Sequence, residues 1–142
     1  MLFEGKIHAK KKGEKFHSVE IPELGVFTEG KNPKDCYKMV KEALELMVDE
    51  KGFTVEVVPT SDTKFMVKGS DLKPLVAIFL QEFRAKSGLT LKQVQKRLKL
   101  RSVNGYAQYE QGKSLPAMNR LTDFIKAMRP EFDLIIKTKK VG

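Results

Sequence analysis

The chain has 142 residues, of which 41% are apolar and 32% are charged, so it can form one or two small globular domains. No stretch approaches the roughly 18 uninterrupted apolar residues of a membrane span, and the N-terminus lacks a signal-peptide pattern. A single cysteine and two histidines exclude an intramolecular disulfide and offer no metal-ligand spacing. These features predict a cytoplasmic protein without metal, cofactor or membrane contact.

The net charge of +9 is unevenly distributed along the chain. Residues 1–70 contain 12 basic and 12 acidic side chains, whereas residues 71–142 contain 15 basic and 6 acidic ones. Proteins that bind phosphate backbones concentrate their cations where the nucleic acid lies. We therefore expect the second half to contact nucleic acid, with a merely solvated basic surface as the alternative.

Residues 1–68 are predicted to form a small α+β domain that begins with strands. Residues 2–9 and 16–21 flank a lysine-rich loop and predict a β-hairpin. Residues 22–25 form a turn, after which residues 26–28 continue as a third short strand.

A helix with clear boundary signals follows the third strand. Asn32 can cap it, and Pro33 suits its first position. Apolar residues at three- and four-residue spacing predict its buried face: Tyr37, Val40, Leu44 and Met47. Cys36, on the first turn, is predicted to be a small buried hydrophobe rather than a reactive thiol. Strands over residues 53–58 and 65–67 complete the order βββαβ(β).

The second domain, residues 69–142, is predicted to be all-α after a linker over residues 67–71. Its first helix ends before Gly88, because glycine readily adopts the left-handed conformation of a helix C-cap. Thr90 and Gln93 form a capping box that opens a second helix. The pattern thus predicts two short helices close together in the chain.

Two more helices complete this domain. Ser102 is predicted to cap a third helix that Gly112 ends, and Pro116 is predicted to start a fourth. The fourth helix is expected to bury four apolar side chains: Met118, Leu121, Ile125 and Met128. Residues 132–137 alternate weakly between apolar and polar, which predicts a last strand or a tail.

Two short helices joined by a tight turn are typical of the helix-turn-helix, whose second helix enters the major groove. Phosphate contacts are predicted for one hydroxyl and four cations: Thr90, Lys92, Lys96, Arg101 and Lys113. Base contacts are predicted for small and polar side chains of the third helix: Ser102, Val103, Asn104 and Gln108. Tyr106 and Tyr109 are expected in the core or on phosphates.

This stretch resembles the repressor-type helix-turn-helix family. The resemblance rests on Gly88-Leu89-Thr90, Val94, Leu98, Tyr109-Glu110-Gln111-Gly112-Lys113, Pro116 and Leu121. It implies sequence-specific binding to double-stranded DNA. The turn has Lys99 where the family often has glycine, and the chain runs one residue longer before Tyr106. The base-reading register is therefore open by one position.

The first half, in combination with this motif, resembles the HicB antitoxin family. The segments that carry the resemblance are Ile21-Pro22-Glu23-Leu24-Gly25, Thr28-Glu29-Gly30 and the helix from Pro33 to Ala43. The resemblance implies a partial RNase H-like first domain that occludes a small HicA-type mRNA-cleaving toxin. It also implies that the second domain forms a homodimer or higher homo-oligomer and represses the operon encoding both proteins.

Two other hypotheses of function compete with the hypothesis of an antitoxin. A free-standing repressor would use its first domain to sense a ligand or to assemble subunits. A nuclease would need several carboxylates around two divalent cations, and the available ones form no recognisable cluster: Glu4, Glu20, Glu23, Asp35 and Glu42. We therefore expect no catalytic residue and no enzyme activity.

Overall fold

The computed structural model describes residues 1–101 and 104–140. The chain divides into two compact units, Met1–Leu72 and Lys73–Lys140. The first unit is α+β, and the described part of the second contains helices and no strand. None of the described helices is long and apolar enough to cross a membrane.

The first unit contains an antiparallel sheet. Its strands are β1 (Phe3–Ile7), β2 (His17–Ile21), β3 (Val26–Gly30), β4 (Val55–Pro59) and β5 (Lys64–Gly69). They lie in the order β3-β2-β1-β5-β4, and every adjacent pair is antiparallel. The last strand in the chain thus pairs with the first, in the interior of the sheet. A 3-10 turn, Pro22–Leu24, joins β2 to β3.

One face of this sheet is apolar because successive side chains of a strand point to opposite faces. The buried set on the strands consists of Phe3, Ile7, Val19, Ile21, Val26, Val55, Phe65 and Val67. Each such side chain contributes about 1.5–3 kcal/mol when it leaves water. The opposite face carries charged residues together with Phe27, whose side chain is 65% exposed.

Helix α1 (Pro33–Val48) covers the apolar face. Asn32 Oδ1 accepts the Asp35 N–H at 2.9 Å, which confirms the predicted cap. Cys36, Val40 and Leu44 are fully buried, as predicted. The prediction for Met47 was wrong, since its side chain is 48% exposed. The buried stripe runs at four-residue intervals, and a step of three from Leu44 turns Met47 away from it.

The β4 edge of the sheet is closed by side chains of α1. The Val55 N–H donates to Glu45 Oε1 at 3.0 Å, and the Val55 C=O accepts from Lys41 Nζ at 3.1 Å. Pro59, at the end of the same strand, has no N–H to offer. The side-chain hydrogen bonds to Val55 and the missing N–H of Pro59 both disfavour pairing of another strand with this edge.

The β3 edge has a different character. The His8 N–H donates to the Ser18 C=O at 2.8 Å, so the backbone groups of Ser18 face β1. Glu29, opposite Ser18 on β3, therefore directs its N–H and C=O to the outer edge, as does Phe27 two residues earlier. Among the described contacts, none involves these outward groups of β3. This edge is open.

The second unit contains helices α2 (Leu72–Lys86), α3 (Leu91–Arg97), α4 (Asn104–Glu110) and α5 (Met118–Met128). Its core is formed by apolar side chains from all of them: Leu75, Val76, Ile78, Leu80, Val94, Tyr106, Ala107, Leu121, Phe124, Ile125 and Met128. Gly88, just after α2, has a φ of 69°, as a left-handed C-cap requires.

Several predicted details of this unit were wrong. Residues 67–69 belong to β5, so the connection to α2 is shorter than the predicted linker. Helix α5 begins at Met118 after the N-cap Ala117, two residues beyond Pro116. Met118 is 58% exposed, and Phe124 is buried in the core instead. The described residues after α5 form no strand, so a tail is the one of the two predicted alternatives that the structure confirms for residues 132–137.

Candidate nucleic-acid interface

Helix α3 begins with the predicted capping box. Thr90 Oγ1 accepts the Gln93 N–H at 3.1 Å, and Gln93 Oε1 accepts the Thr90 N–H at 2.8 Å. The two side chains therefore satisfy backbone donors that a helix start otherwise leaves unpaired. The Thr90 hydroxyl acts as an acceptor in the cap, so its own hydrogen can still be donated to a phosphate oxygen.

The turn after α3 is tight and left-handed. Lys99 has a φ of 57°, which is the region that favours glycine. The Gln95 amide closes the turn by donating to the Leu100 C=O at 2.6 Å. Val94 is fully buried and Leu98 half-buried, so α3 faces the core as predicted. Lys99 thus has the left-handed backbone conformation that glycine adopts most readily.

The two sides of helix α4 differ sharply in burial. Tyr106, Ala107 and Glu110 are all at most 5% exposed and point into the unit. Asn104 and Gln108 are four residues apart and lie on the opposite side, where Asn104 is exposed and Gln108 half-buried. The helix therefore directs two amide side chains away from the core on one face.

A buried ion pair joins α4 to α2. Arg84 Nε donates to both oxygens of Glu110 at 2.8 and 3.0 Å, and Arg84 Nη1 donates to the Leu89 C=O at 2.9 Å. The Gln81 amide donates to the Glu110 C=O. The Glu110 carboxylate raises the pKa of Arg84. One arginine thereby links the end of α4 to α2 and to the connection before α3.

Aromatic rings fill the space behind α4. Tyr106 and Tyr109 both pack on Phe124 of α5, with ring centroids 5.0 and 5.2 Å apart. Tyr106 is fully buried, its hydroxyl reaches Met128 Sδ at 3.8 Å, and burial raises its pKa. Tyr106 is therefore a core residue, one of the two roles predicted for it.

The surface around α3 and α4 is basic without compensation. Between residues 83 and 122 the only acidic residue is Glu110, which is buried against Arg84. The predicted phosphate ligands among the cations are all exposed: Lys92, Lys96, Arg101 and Lys113. Phosphate groups would meet a surface here on which cations outnumber carboxylates.

One cation of this surface has a structural role that the sequence did not reveal. Arg97 Nη1 donates to the C=O groups of Ala127 and Met128 at 3.0 and 3.3 Å. It thus satisfies the last carbonyls of α5, where the helix dipole is negative. Arg84 is occupied in a comparable way by Glu110. Both arginines thus have structural roles in the second unit, in addition to their charge.

Not every predicted site residue can be assessed. Ser102 and Val103, predicted as base readers, lie outside the described residues. Thr90, Lys92 and Lys96 are on α3 or its cap, and Asn104 and Gln108 are on α4. Arg101 and Lys113 flank α4 on either side. The described part of the site therefore consists of one polar face of α4, with one exposed basic residue shortly before the helix in the chain and one shortly after it.

The first unit offers no comparable chemistry in its described residues. No group of three or more His, Cys, Asp or Glu side chains in residues 1–101 and 104–140 could hold a metal ion. Cys36 is buried, and burial raises its pKa, which disfavours the reactive thiolate. His17 Nδ1 lies 2.9 Å from the His8 C=O, and His8 is near Glu20. These histidines serve the hairpin.

Comparison with models of known protein families and with curated proteins finds no match to this chain.

Proposed function

We propose that the second unit is a sequence-specific, repressor-type DNA-binding domain with α4 as its recognition helix. The observation that carries this proposal is the polarity of α4, with Asn104 and Gln108 outward and Glu110 locked inward by Arg84. A helix held this rigidly can present amides to base edges in the major groove. A polar outer face is ordinary for a surface helix, so the proposal also depends on the exposed cations close to α4 in the chain.

In this mechanism the two helices have different tasks. The capped start of α3 meets the phosphate backbone through Thr90, Lys92 and Lys96, which set orientation and affinity without reading sequence. Asn104 and Gln108 on α4 then read base edges, with adenine as the preferred partner of each amide. Arg101 and Lys113 bind phosphates beside α4. Ser102 and Val103 retain their predicted place among the base readers.

The test of DNA binding is selection of preferred sequences from random duplexes by the full-length protein, followed by affinity measurements at several salt concentrations. We expect a two-fold symmetric preferred site and an affinity that falls steeply with salt, because phosphate neutralisation releases counterions. Equal affinity for the selected site and for random DNA would contradict sequence-specific binding. Absence of any salt-dependent DNA binding would contradict the domain assignment itself.

We further propose that the first unit makes the whole protein a HicB-type antitoxin, which would bind and occlude a small mRNA-cleaving toxin in the cytoplasm. This rests on the resemblance of residues 21–43 and on a unit that is nearly neutral, with 12 basic and 13 acidic side chains, and has an open strand edge at β3. Assignment of its sheet to a partial RNase H-like fold belongs to the same proposal. Such a unit would act through its surface and not as an enzyme.

The open β3 edge is the part of this unit best suited to bind a protein, because an added strand gains main-chain hydrogen bonds there. Glu29→Pro removes one outward N–H from this edge while keeping the bonds to β2. Val57→Pro is the matched control, since the same ladder argument places the Val57 N–H on the β4 edge. Glu29→Ala controls for loss of the carboxylate.

The experiment is co-expression of the full-length chain with the small protein encoded beside it, scored by co-purification and by suppression of RNA cleavage. We expect the wild type, Glu29→Ala and Val57→Pro to suppress cleavage, and Glu29→Pro to lose both binding and suppression. If wild-type protein fails to bind any adjacent small protein, the free-standing repressor becomes the better reading. If Glu29→Pro binds normally, the toxin contact lies elsewhere than on β3.

A further inference from the structure

The second unit ends in an irregular segment that first packs on the helices and then leaves them. Phe132 packs edge-on against Phe83 of α2, with ring centroids 5.7 Å apart, and the Arg129 guanidinium lies 4.2 Å from the same ring. Lys126 Nζ pairs with Asp133 at 3.1 Å. These contacts hold the start of the segment against α2 and α5.

Two large apolar side chains follow in a part of the segment that the helices do not cover. The side chain of Ile135 is 75% exposed and that of Ile136 is 66% exposed. Isoleucine favours strands, yet residues 131–140 form no strand. Two adjacent exposed isoleucines offer apolar surface to a second molecule.

Residues 131–139, which we call the tail segment, alternate between two kinds of side chain. The even positions are Phe132, Leu134, Ile136 and Thr138, and the odd positions are Glu131, Asp133, Ile135, Lys137 and Lys139. As a strand, the segment would place these two sets on opposite faces. Phe132 already contacts α2, so the apolar even face would turn toward the helices of the unit.

The tail segment is also complementary to itself in the antiparallel direction. In a register centred on Ile135, Asp133 of one copy lies opposite Lys137 of the other, and Leu134 lies opposite Ile136. Glu131 lies opposite Lys139 in the same register. Two-fold symmetry repeats each of these pairs, so that every acidic residue of the segment meets a lysine. Opposite charges directly across a strand pair stabilise it, and like charges destabilise it.

We propose that the tail segments of two copies of this chain pair as a two-stranded antiparallel ribbon and thereby form the homodimer. An isolated two-stranded ribbon is marginal in water. In the proposed dimer the apolar face of the ribbon packs on the helices of the second unit in each copy, which supplies the missing burial. Asp133 gives up only an exposed pair with Lys126, and such pairs contribute little. The inference rests on the proposed DNA-binding function, which needs two recognition helices for a symmetric site.

The test is a charge exchange in the full-length protein, with dimerisation measured by sedimentation equilibrium in the absence of DNA. Asp133→Lys and Lys137→Asp each place like charges opposite one another twice, and each should weaken the dimer by about tenfold. The double variant Asp133→Lys/Lys137→Asp restores both pairs and should dimerise like the wild type. Lys140→Asp, outside the tail segment and opposite no charge, controls for the change in net charge.

A mixture of the two single variants gives the sharpest result. Two charge pairs form only between the unlike chains, so heterodimers should outnumber both homodimers. A monomeric wild type, single variants that dimerise normally, or a double variant that does not recover would each overturn the proposal. Thermal unfolding of each variant shows whether its fold is intact.

Dimerisation and DNA binding can fail independently in these measurements. A chain that dimerises through the tail segment but binds no DNA would contradict the proposed function and leave the ribbon in place. A chain that binds a symmetric site while the charge exchange has no effect on dimerisation would contradict the ribbon alone.

Discussion

Arg84 and Glu110, 26 residues apart in the chain, share a bifurcated contact in which one Nε–H lies 2.8 and 3.0 Å from the two carboxylate oxygens. Glu110 ends α4 and is 5% exposed, whereas Arg84 is on α2 and reaches the Leu89 C=O as well. Because the pair lies on the buried side of α4, it positions the outward amides without touching DNA. Its loss should affect stability first and DNA binding as a consequence.

Glu110→Ala should lower the free energy of unfolding of the second unit by about 2–4 kcal/mol, because it leaves the Arg84 guanidinium partly buried without its anion. Urea denaturation followed by circular dichroism measures this change. Glu131→Ala is the matched control, since its pair with Arg129 is exposed and should be worth under about 1 kcal/mol. Equal effects of the two variants would show that the buried pair contributes no more to the free energy of unfolding than the exposed pair.

Lys99→Gly should stabilise the protein by about 1 kcal/mol, because the left-handed conformation is costly for any residue with a Cβ atom. Lys96→Gly removes the same charge from within α3, where glycine costs about 1 kcal/mol. Thermal or urea unfolding of the two variants should therefore change in opposite directions. Destabilisation by Lys99→Gly would mean that the lysine side chain itself stabilises the turn.

Three substitutions at Thr90 separate its two predicted roles. Thr90→Ala should lose the cap and cost about 1 kcal/mol of stability, and Thr90→Ser should keep both cap and DNA affinity. Thr90→Asp should keep the cap but repel phosphate, so DNA affinity falls while stability does not. Unfolding and DNA binding, measured on the same samples, distinguish the capping role of Thr90 from its role as a phosphate ligand. Full affinity in Thr90→Asp would exclude Thr90 as a phosphate ligand.

Asn104→Ala and Gln108→Ala should each cost about 1–3 kcal/mol on the preferred DNA site and relax the preference at one base pair. Lys92→Ala and Lys113→Ala should weaken binding to all sequences and reduce the salt dependence by about one phosphate contact each. Fluorescence anisotropy on specific and random duplexes distinguishes the two patterns. Indistinguishable behaviour of all four variants would contradict the division between base readers and phosphate ligands.

Stability should decline on the alkaline side because of Tyr106. Burial raises the pKa of its phenol, so the folded state holds the proton more tightly than the unfolded state, in which the pKa is about 10. The resulting stability is fully present below pH of about 10 and is lost as the pH rises further. Urea midpoints should show this loss in the wild type and a smaller one in Tyr106→Phe. An identical alkaline loss of stability in the wild type and in Tyr106→Phe would contradict the assignment of this loss to Tyr106.

Local signals in the sequence predicted the caps and turns well. The capping box at Thr90, the Asn32 cap and the left-handed Gly88 each depend on side chains within a few residues of one another, and the structure confirms them. The buried Cys36 was also predicted correctly. Lys99 is the instructive case, because the family pattern indicated a glycine position and the backbone is left-handed there despite the lysine.

Non-local contacts could not be predicted in the same way. Nothing near Arg84 or Arg97 in the sequence indicates that one pairs with Glu110 and the other caps α5, so both were counted as surface charge. The place of β5 between β1 and β4 depends on pairing across most of the first unit. Met47 and Met118 fit their helical periodicity, but the core is narrower than the apolar stripe of either helix.

The order of the strands also has a consequence for how the protein is made. Because β5 lies between β1 and β4, the sheet cannot close until residue 69 has emerged from the ribosome. Synthesis of residues 73–140 then takes roughly 3–14 s at about 5–20 residues per second. During that interval a completed first unit would already present its β3 edge, the contact proposed for the toxin, before the proposed DNA-binding unit has been synthesised.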